Sequence, residues 1–219
     1  MTANTSAPKR VSAQRSAADP ADDGKTRCTW AIGKTFDPPY TRYHDEEWGV
    51  PVRNDQRLFE FLVLEGAQAG LSWRTVLGKR AAYRRAFLDF NIAQVAAMSD
   101  AYLETLLLDA GLIRNRLKIF SARNNARAAL QVIEEFGSFT AWLWSYVDGA
   151  PLLNYWSSHS EVPATSGISD ALSKALHKRG FRFVGSTIMY AFMQATGMVN
   201  DHLTTCFCHP QNRKGKSRA

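Results

Sequence analysis

With 219 residues, 45% of them hydrophobic, the chain can bury one substantial core or two small ones sharing a cleft. Its longest apolar runs, such as Phe61 to Leu64 and Leu106 to Leu108, are far too short to span a bilayer, and residues 1–26 lack the apolar stretch of a secretory signal. The expectation is a chain without a membrane partner, in the reducing cytoplasm.

The net charge of +7 belongs mostly to the ends: residues 1–27 hold five Lys/Arg against three Asp/Glu, and 211–219 hold four Lys/Arg and no acid. Residues 1–26 carry almost no large apolar groups and cannot bury enough surface to offset ordering entropy, so they read as a disordered tail. A helical domain over 27–210 and a second, basic disordered tail over 211–219 complete the expected organisation.

Cys28-Thr29-Trp30 opens the domain, and Phe36-Asp37-Pro38-Pro39-Tyr40 has the composition of a turn. Tyr40, Tyr43, His44 and Trp48 follow closely, dense in rings for a loop-like segment. From Asp55 the pattern is helical, with Asn54 as N-cap and Leu58, Phe61, Leu62 and Glu65 at helical spacing. Glu65 thus continues an apolar stripe. A carboxylate there costs several kcal/mol, by rough estimate, unless something hydrogen-bonds to it. Gly66, Ala67, Ala69 and Gly70 leave open space around it, and Leu71 and Trp73 follow. Two readings stay open: an acid at the bottom of an aromatic-walled pocket that binds a base, or one paired with a buried arginine.

Further on, Ser99-Asp100 caps a segment through Asp109 with Gly111 as its C′ residue, and a long helix runs from about Asn115 to Phe136, stopped by Gly137. Ser138 caps the next through Val147. Residues 149–168 lack a period and read as an ordered crossing loop. Ser169-Asp170 restarts a helix that Gly180 ends, and Ser186 to Thr196 makes another with Gly197 behind it. No stretch alternates with period two, so the fold class is all-α, in two lobes linked by crossings.

Three basic clusters stand out: Lys79, Arg80, Arg84 and Arg85; Arg114, Arg116, Lys118, Arg123 and Arg127; and Lys174, Lys178, Arg179 and Arg182. They suit a surface that tracks a phosphate backbone, or equally three solvated helix faces. Leu108-Asp109-Ala110-Gly111-Leu112-Ile113-Arg114 joins two helices as a hairpin that could present backbone N–H groups to a DNA phosphate. Ile113 stands where such hairpins usually carry a second glycine, so a plain packing hairpin fits as well.

His202 and Cys206 are spaced i, i+4, on one face if helical, and Cys28 and His44 could complete a Cys₂His₂ tetrahedron suited to Zn²⁺. Four protein ligands would leave no position for water, making the site structural. A reduced core cysteine with satisfied histidines, or a Cys28–Cys206 disulfide, are the alternatives. There is no Gly-x-Ser-x-Gly, no phosphate-binding glycine loop followed by Lys, and no His-Glu-x-x-His.

Several long stretches resemble the bacterial DNA-3-methyladenine glycosylase I family: Cys28 to Trp30, Tyr43 to Pro51, Leu64 to Trp73, Asp109 to Arg114, Ser169 to Gly185 and Val199 to His202. The likeness covers about residues 27–210. It implies a two-lobed helix-hairpin-helix glycosylase that flips 3-methyladenine out of double-stranded DNA and hydrolyses its glycosidic bond. It further implies one structural zinc at Cys28, His44, His202 and Cys206, Glu65 as the residue contacting the base, Tyr43 and Trp73 as stacking partners, and Trp30 and Tyr40 as pocket lining. Leu71, after Gly70, corresponds to the residue near the gap left by the extruded base, and Gly111 and Arg114 to the DNA-facing hairpin.

Relatives in the wider helix-hairpin-helix group mostly carry a catalytic Asp downstream of the hairpin; here Asn124 to Ser138 offers only Glu134 and Glu135, read as solvent-facing. That favours a monofunctional enzyme without a lyase step; a monomer is expected. The rivals are a zinc-stabilised, sequence-independent DNA-binding protein without catalysis, and a related glycosylase for another alkylated base.

Overall fold

The computed structural model describes residues 23–32 and 37–212. The two expected tails lie for the most part outside the described residues, as does Phe36 of the expected turn.

The described residues are overwhelmingly helical. The helices are α1 (Thr29–Ile32), α2 (Pro38–Glu46), α3 (Asp55–Gln68), α4 (Trp73–Ala86), α5 (Ile92–Ala96), α6 (Asp100–Leu106), α7 (Arg116–Phe136), α8 (Phe139–Trp144), α9 (Gly167–Lys178) and α10 (Ser186–Ala195). Capping side chains set most starts: Asn54, Ser72, Asn91, Ser99, Asn115 and Ser138 each accept a backbone N–H from the first turn that follows. Gly137, at φ 82°, closes α7 in the left-handed conformation open to glycine.

Helix α3 is the shared element of one continuous core, packing against α4, α7, α8 and α10. Leu58, Phe59, Phe61, Leu62, Val63 and Leu64 are all buried. Each contributes about 1.5–3 kcal/mol of burial free energy, enough together to carry polar groups on the same helix. At its N-terminal end Asp55 accepts the backbone N–H groups of Phe139 and Thr140 at 3.1 and 2.8 Å, so the first acid of α3 also caps α8. At its C-terminal end, Lys118 on α7 donates to the carbonyls of Ala67 and Ala69 at 2.9 and 2.6 Å.

Several boundaries differ from the sequence reading. Pro38 and Pro39 open α2 instead of making a turn, because the first helical positions need no N–H donor. Tyr40, Tyr43 and His44 are therefore fixed on a helix. Helix α6 ends at Leu106, so Gly111 is a loop residue and not its C′. Helix α9 begins at Gly167, with Ser166 as N-cap and Ser169 as the reciprocal partner of a capping box. Within the crossing loop, β1 (Leu152–Leu153) pairs in parallel with β2 (Val199–Asn200), a ladder too short to show a period. Gly197 leads into β2 at φ 67°, where a Cβ would lie 2.4 Å from the carbonyl carbon of Val50. Only glycine fits that approach. The segment from His202 to Cys206 is a turn and not a helix.

Candidate active site and metal centre

Cys28 precedes α1, His44 lies on α2, and His202 and Cys206 follow β2; all four are buried and their ligand atoms lie within 4.8 Å of one another. Metal–sulfur and metal–nitrogen bonds of about 2.3 and 2.05 Å put an S···N edge of a tetrahedral site at about 3.6 Å. Here Cys28 Sγ to His202 Nδ1 is 3.6 Å, Cys206 Sγ to His44 Nε2 is 3.5 Å, and Cys206 Sγ to His202 Nδ1 is 3.6 Å. The donor set therefore fits a metal ion, and the cysteines are free thiols, not a disulfide.

The surroundings fix the ligands as well. His44 Nδ1 pairs with Asp45 at 2.8 Å, and Asp45 is held in turn by Arg27. His202 Nε2 donates to the Trp48 carbonyl at 3.0 Å. Each imidazole so presents its other nitrogen to the cluster. The backbone N–H groups of Leu203 and Cys208 point at the Cys28 and Cys206 sulfurs, both at 3.4 Å. The neighbouring Cys208 and Cys28 hold the Cys206 thiol well below its usual range, while Cys206 and burial push Cys28 far above it.

The rings that enclose this cluster also wall a cavity. Trp48 packs edge-on against His202 with centroids 4.6 Å apart, and Trp30 packs edge-on against His44 and Trp48 at 5.2 and 5.0 Å. On their other side lies a space of about 270 Å³ lined by Trp30, Tyr40, Tyr43, Trp48, Glu65, Gln68, Trp73, His159, Ala191 and Gln194. A second recess of about 260 Å³ shares Glu65, Gln68 and Ala191 with it and opens toward Gly70 and Leu71.

Glu65 is 3% exposed, and among the described residues no cation pairs with it and no donor bonds to it. Burial alone pushes its carboxyl up to about 8. Of the two readings left open, the buried arginine partner is absent. The contrast with Glu60 on the same helix is sharp. Burial raises Glu60 as well, but hydrogen bonds from Arg80 and Arg84 and the charge of Arg57 outweigh it and hold that carboxyl below its usual value. Burial and the Glu65 charge together push the Tyr43 hydroxyl well up, and both residues line the same cavity. Tyr43 and Trp73 are tilted rings 5.5 Å apart, and among the described residues the buried Trp73 Nε1–H has no hydrogen-bond partner. Such an orphan costs about 1–3 kcal/mol and is characteristic of a site not built for its own closure.

At the rim, Gly70 adopts φ 77° and Leu71 is 42% exposed. Leu71 shares a shallow surface recess with Ile113 and the exposed Arg114 of the hairpin. A Cβ at Gly111 would lie 2.8 Å from that of Ala82, so this glycine lets the hairpin pack closely on α4. The basic clusters are not continuous phosphate surfaces. Arg80 and Arg84 bind Glu60, Lys79 donates to the Ala110 carbonyl, Arg123 and Arg127 donate to the Met98 and Ala96 carbonyls, and Arg179 pairs with Glu135. Arg85, Arg114, Lys174, Lys178 and Arg182 remain exposed. The expected metal ligands and pocket residues thus converge on two adjoining sites; Gly70 and Leu71 line the recess that shares Glu65, Arg114 lies in the shallow recess beside Leu71, and Gly111 packs against Ala82 of α4. Trp48, Gln68, His159 and Gln194 join them without having been singled out. Trp48 stood inside the ring-rich run, and nothing in the sequence marked the other three.

Residues 30–209 match the methyladenine glycosylase family. The chain is 50% identical over 187 residues to DNA-3-methyladenine glycosylase 1 of Escherichia coli strain K12, covering 85% of this chain and 98% of that protein. Among solved structures it is similar to a 3-methyladenine DNA glycosylase I at 51% identity with a TM-score of 0.80, covering 84% of this chain and all of that one. It is also similar to the Staphylococcus aureus 3-methyladenine DNA glycosylase I, whose structure describes 3-methyladenine recognition, at 37% identity and a TM-score of 0.80 over 82% and 95% of the two chains. With no helix among the described residues long and apolar enough to cross a membrane, and with the fold, the cavity and the metal-ligand cluster in place, the chain belongs to the methyladenine glycosylase family.

Proposed function

We propose that the protein excises 3-methyladenine from alkylated double-stranded DNA as a monofunctional glycosylase acting as a monomer. The observation that carries this reading is Glu65: a buried, unpaired acid lining a ring-walled cavity of about 270 Å³ in a chain of this family. A binding protein that tracks phosphates gains nothing from such an acid.

Methylation at N3 makes the nucleotide base cationic. Its C1′–N9 bond breaks with the electron pair leaving on the base, which departs neutral, and water adds to C1′ with loss of a proton. The leaving group is already good, so recognition carries most of the discrimination. Tyr43 and Trp73 stack on the electron-poor ring, Trp30 and Tyr40 complete the wall, and Glu65 accepts from the exocyclic amine. Near pH 7 the empty site holds Glu65 largely protonated, and the arriving cation draws it toward the carboxylate. Unmodified adenine brings no charge to stabilise that form.

Leu71, lifted on Gly70, fills the gap in the stack, while Arg114 and the hairpin at Gly111 hold the backbone. Cys28, His44, His202 and Cys206 hold a zinc ion whose four protein ligands make it structural. It ties the two ends of the domain together and supports the pocket rings from behind. Glu134 and Glu135 are exposed on α7 and Glu135 is paired with Arg179, which supports a reaction without a lyase step. Release of 3-methyladenine from methylated duplex DNA, with the free base as competitor, tests the reading: no release and no competition would remove it.

A further inference from the structure

Resting on that reading, a second polar contact to the base emerges from α10. Gln194 lines the Glu65 cavity from a different helix, and its Nε2 donates to Asp201 Oδ2 at 2.7 Å. Asp201 is 2% exposed and also accepts from Tyr190 Oη at 2.8 Å, Trp156 Nε1 at 2.8 Å and Asn154 Nδ2 at 2.7 Å. Four side-chain donors converge on one acceptor. A carboxylate satisfied in this way cannot donate, so it fixes which end of the Gln194 amide faces it. The NH₂ group turns to Asp201 and the carbonyl Oε1 turns the other way, and among the described residues Oε1 has no partner.

We infer that Gln194 is a specificity-determining residue whose Oε1 accepts one N–H of the base's exocyclic amine, with Asp201 as the positioning residue that fixes its orientation. An exocyclic amine has two N–H groups, and the cavity offers two acceptors, Glu65 and Gln194. A base with a carbonyl at that position would set oxygen against oxygen. The pocket therefore selects a 6-amino purine over a 6-oxo purine independently of the positive charge that favours methylation.

The test compares binding of free 3-methyladenine and free 3-methylhypoxanthine, which carries oxygen in place of the amine, by quenching of the pocket tryptophans. The wild-type protein should prefer 3-methyladenine. In Gln194→Met, folded by circular dichroism, 3-methyladenine affinity should fall about tenfold, as for one lost hydrogen bond, with 3-methylhypoxanthine unchanged or tighter. Gln194→Leu is the second variant should the first not fold. Asp201→Asn supplies a competing NH₂, lets the amide turn over and should shrink the same preference. General damage weakens both bases alike and leaves the ratio intact. An unchanged ratio in the Gln194 variants would overturn this assignment alone, whereas a wild-type protein that binds neither base would overturn the functional reading on which it rests.

Discussion

Glu60 and Glu65 are both buried on α3, at 4% and 3% exposure, yet Glu60 is enclosed by Arg57, Arg80 and Arg84 while no cation among the described residues pairs with Glu65. The same helix therefore shows what a structural acid looks like and, one and a half turns on, an acid left for something else. Removing the partners of Glu60 would strand a buried charge, whereas Glu65 has no such partners and is pushed by burial toward its neutral form.

A pH signature follows. In the folded protein Glu65 titrates near 8 against 4.5 for an unburied glutamate, so folding favours its protonated form. The resulting destabilisation is absent below pH 4.5, grows as pH rises through the folded value, and levels off above it. Glu65→Gln should be as stable as wild type at pH 4.5 and more stable at pH 9, on the order of a few kcal/mol. Thermal unfolding of both proteins across that range is the check; a gap that does not change with pH would contradict the unpaired acid.

The metal centre should behave as a clamp. Cys206→Ser leaves three ligands and should lose the ion and several kcal/mol of stability, on the order of 2–5 kcal/mol. Because Trp48 bonds to His202 through its carbonyl and packs on it through its ring, free-base affinity should fall in parallel. Elemental analysis and thermal unfolding decide the matter, and a wild-type protein that is fully stable with no bound metal would count against it.

Leu71 separates DNA engagement from base recognition. Truncating a side chain that is 42% exposed should change stability by less than about 0.5 kcal/mol. Leu71→Ala should bind damaged duplex more weakly while free 3-methyladenine binds as before. Equal losses for both ligands would end the wedge role.

Gly111 makes a packing prediction at the hairpin. Its Cβ position lies 2.8 Å from Ala82 and 2.9 Å from Asp109 Oδ1, so Gly111→Ala must displace the loop from α4. A cost of about 1–3 kcal/mol is expected, with weaker DNA binding and unchanged free-base binding. Wild-type stability in the variant would show that the loop has room.

Much of the fold was legible because helix caps are local chemistry: Asn54, Ser99 and Ser138 cap where the sequence places them, and Gly137 closes α7 as expected, with Asn115 at its start acting as the N-cap. The start of α2 differs from the sequence reading because proline marks turns and first helical turns alike, and only packing of α2 against α1 and α4 and of His44 against the metal loop decides between them. The i, i+4 spacing of His202 and Cys206 pointed to the right ligands through the wrong conformation. The basic clusters misled more, since charge along the chain cannot reveal that Arg80 faces Glu60 or that Lys118 caps α3. Gln194 was invisible for the same reason: its meaning comes from Asp201, which nothing local ties to a cavity.

The most direct measurement is the rate at which Glu65→Gln releases 3-methyladenine from methylated duplex DNA, compared with wild type at pH 7. The account predicts a properly folded variant whose rate is lower by about 10- to 100-fold, the cost of losing a charged hydrogen-bond acceptor. Release at the wild-type rate would contradict it.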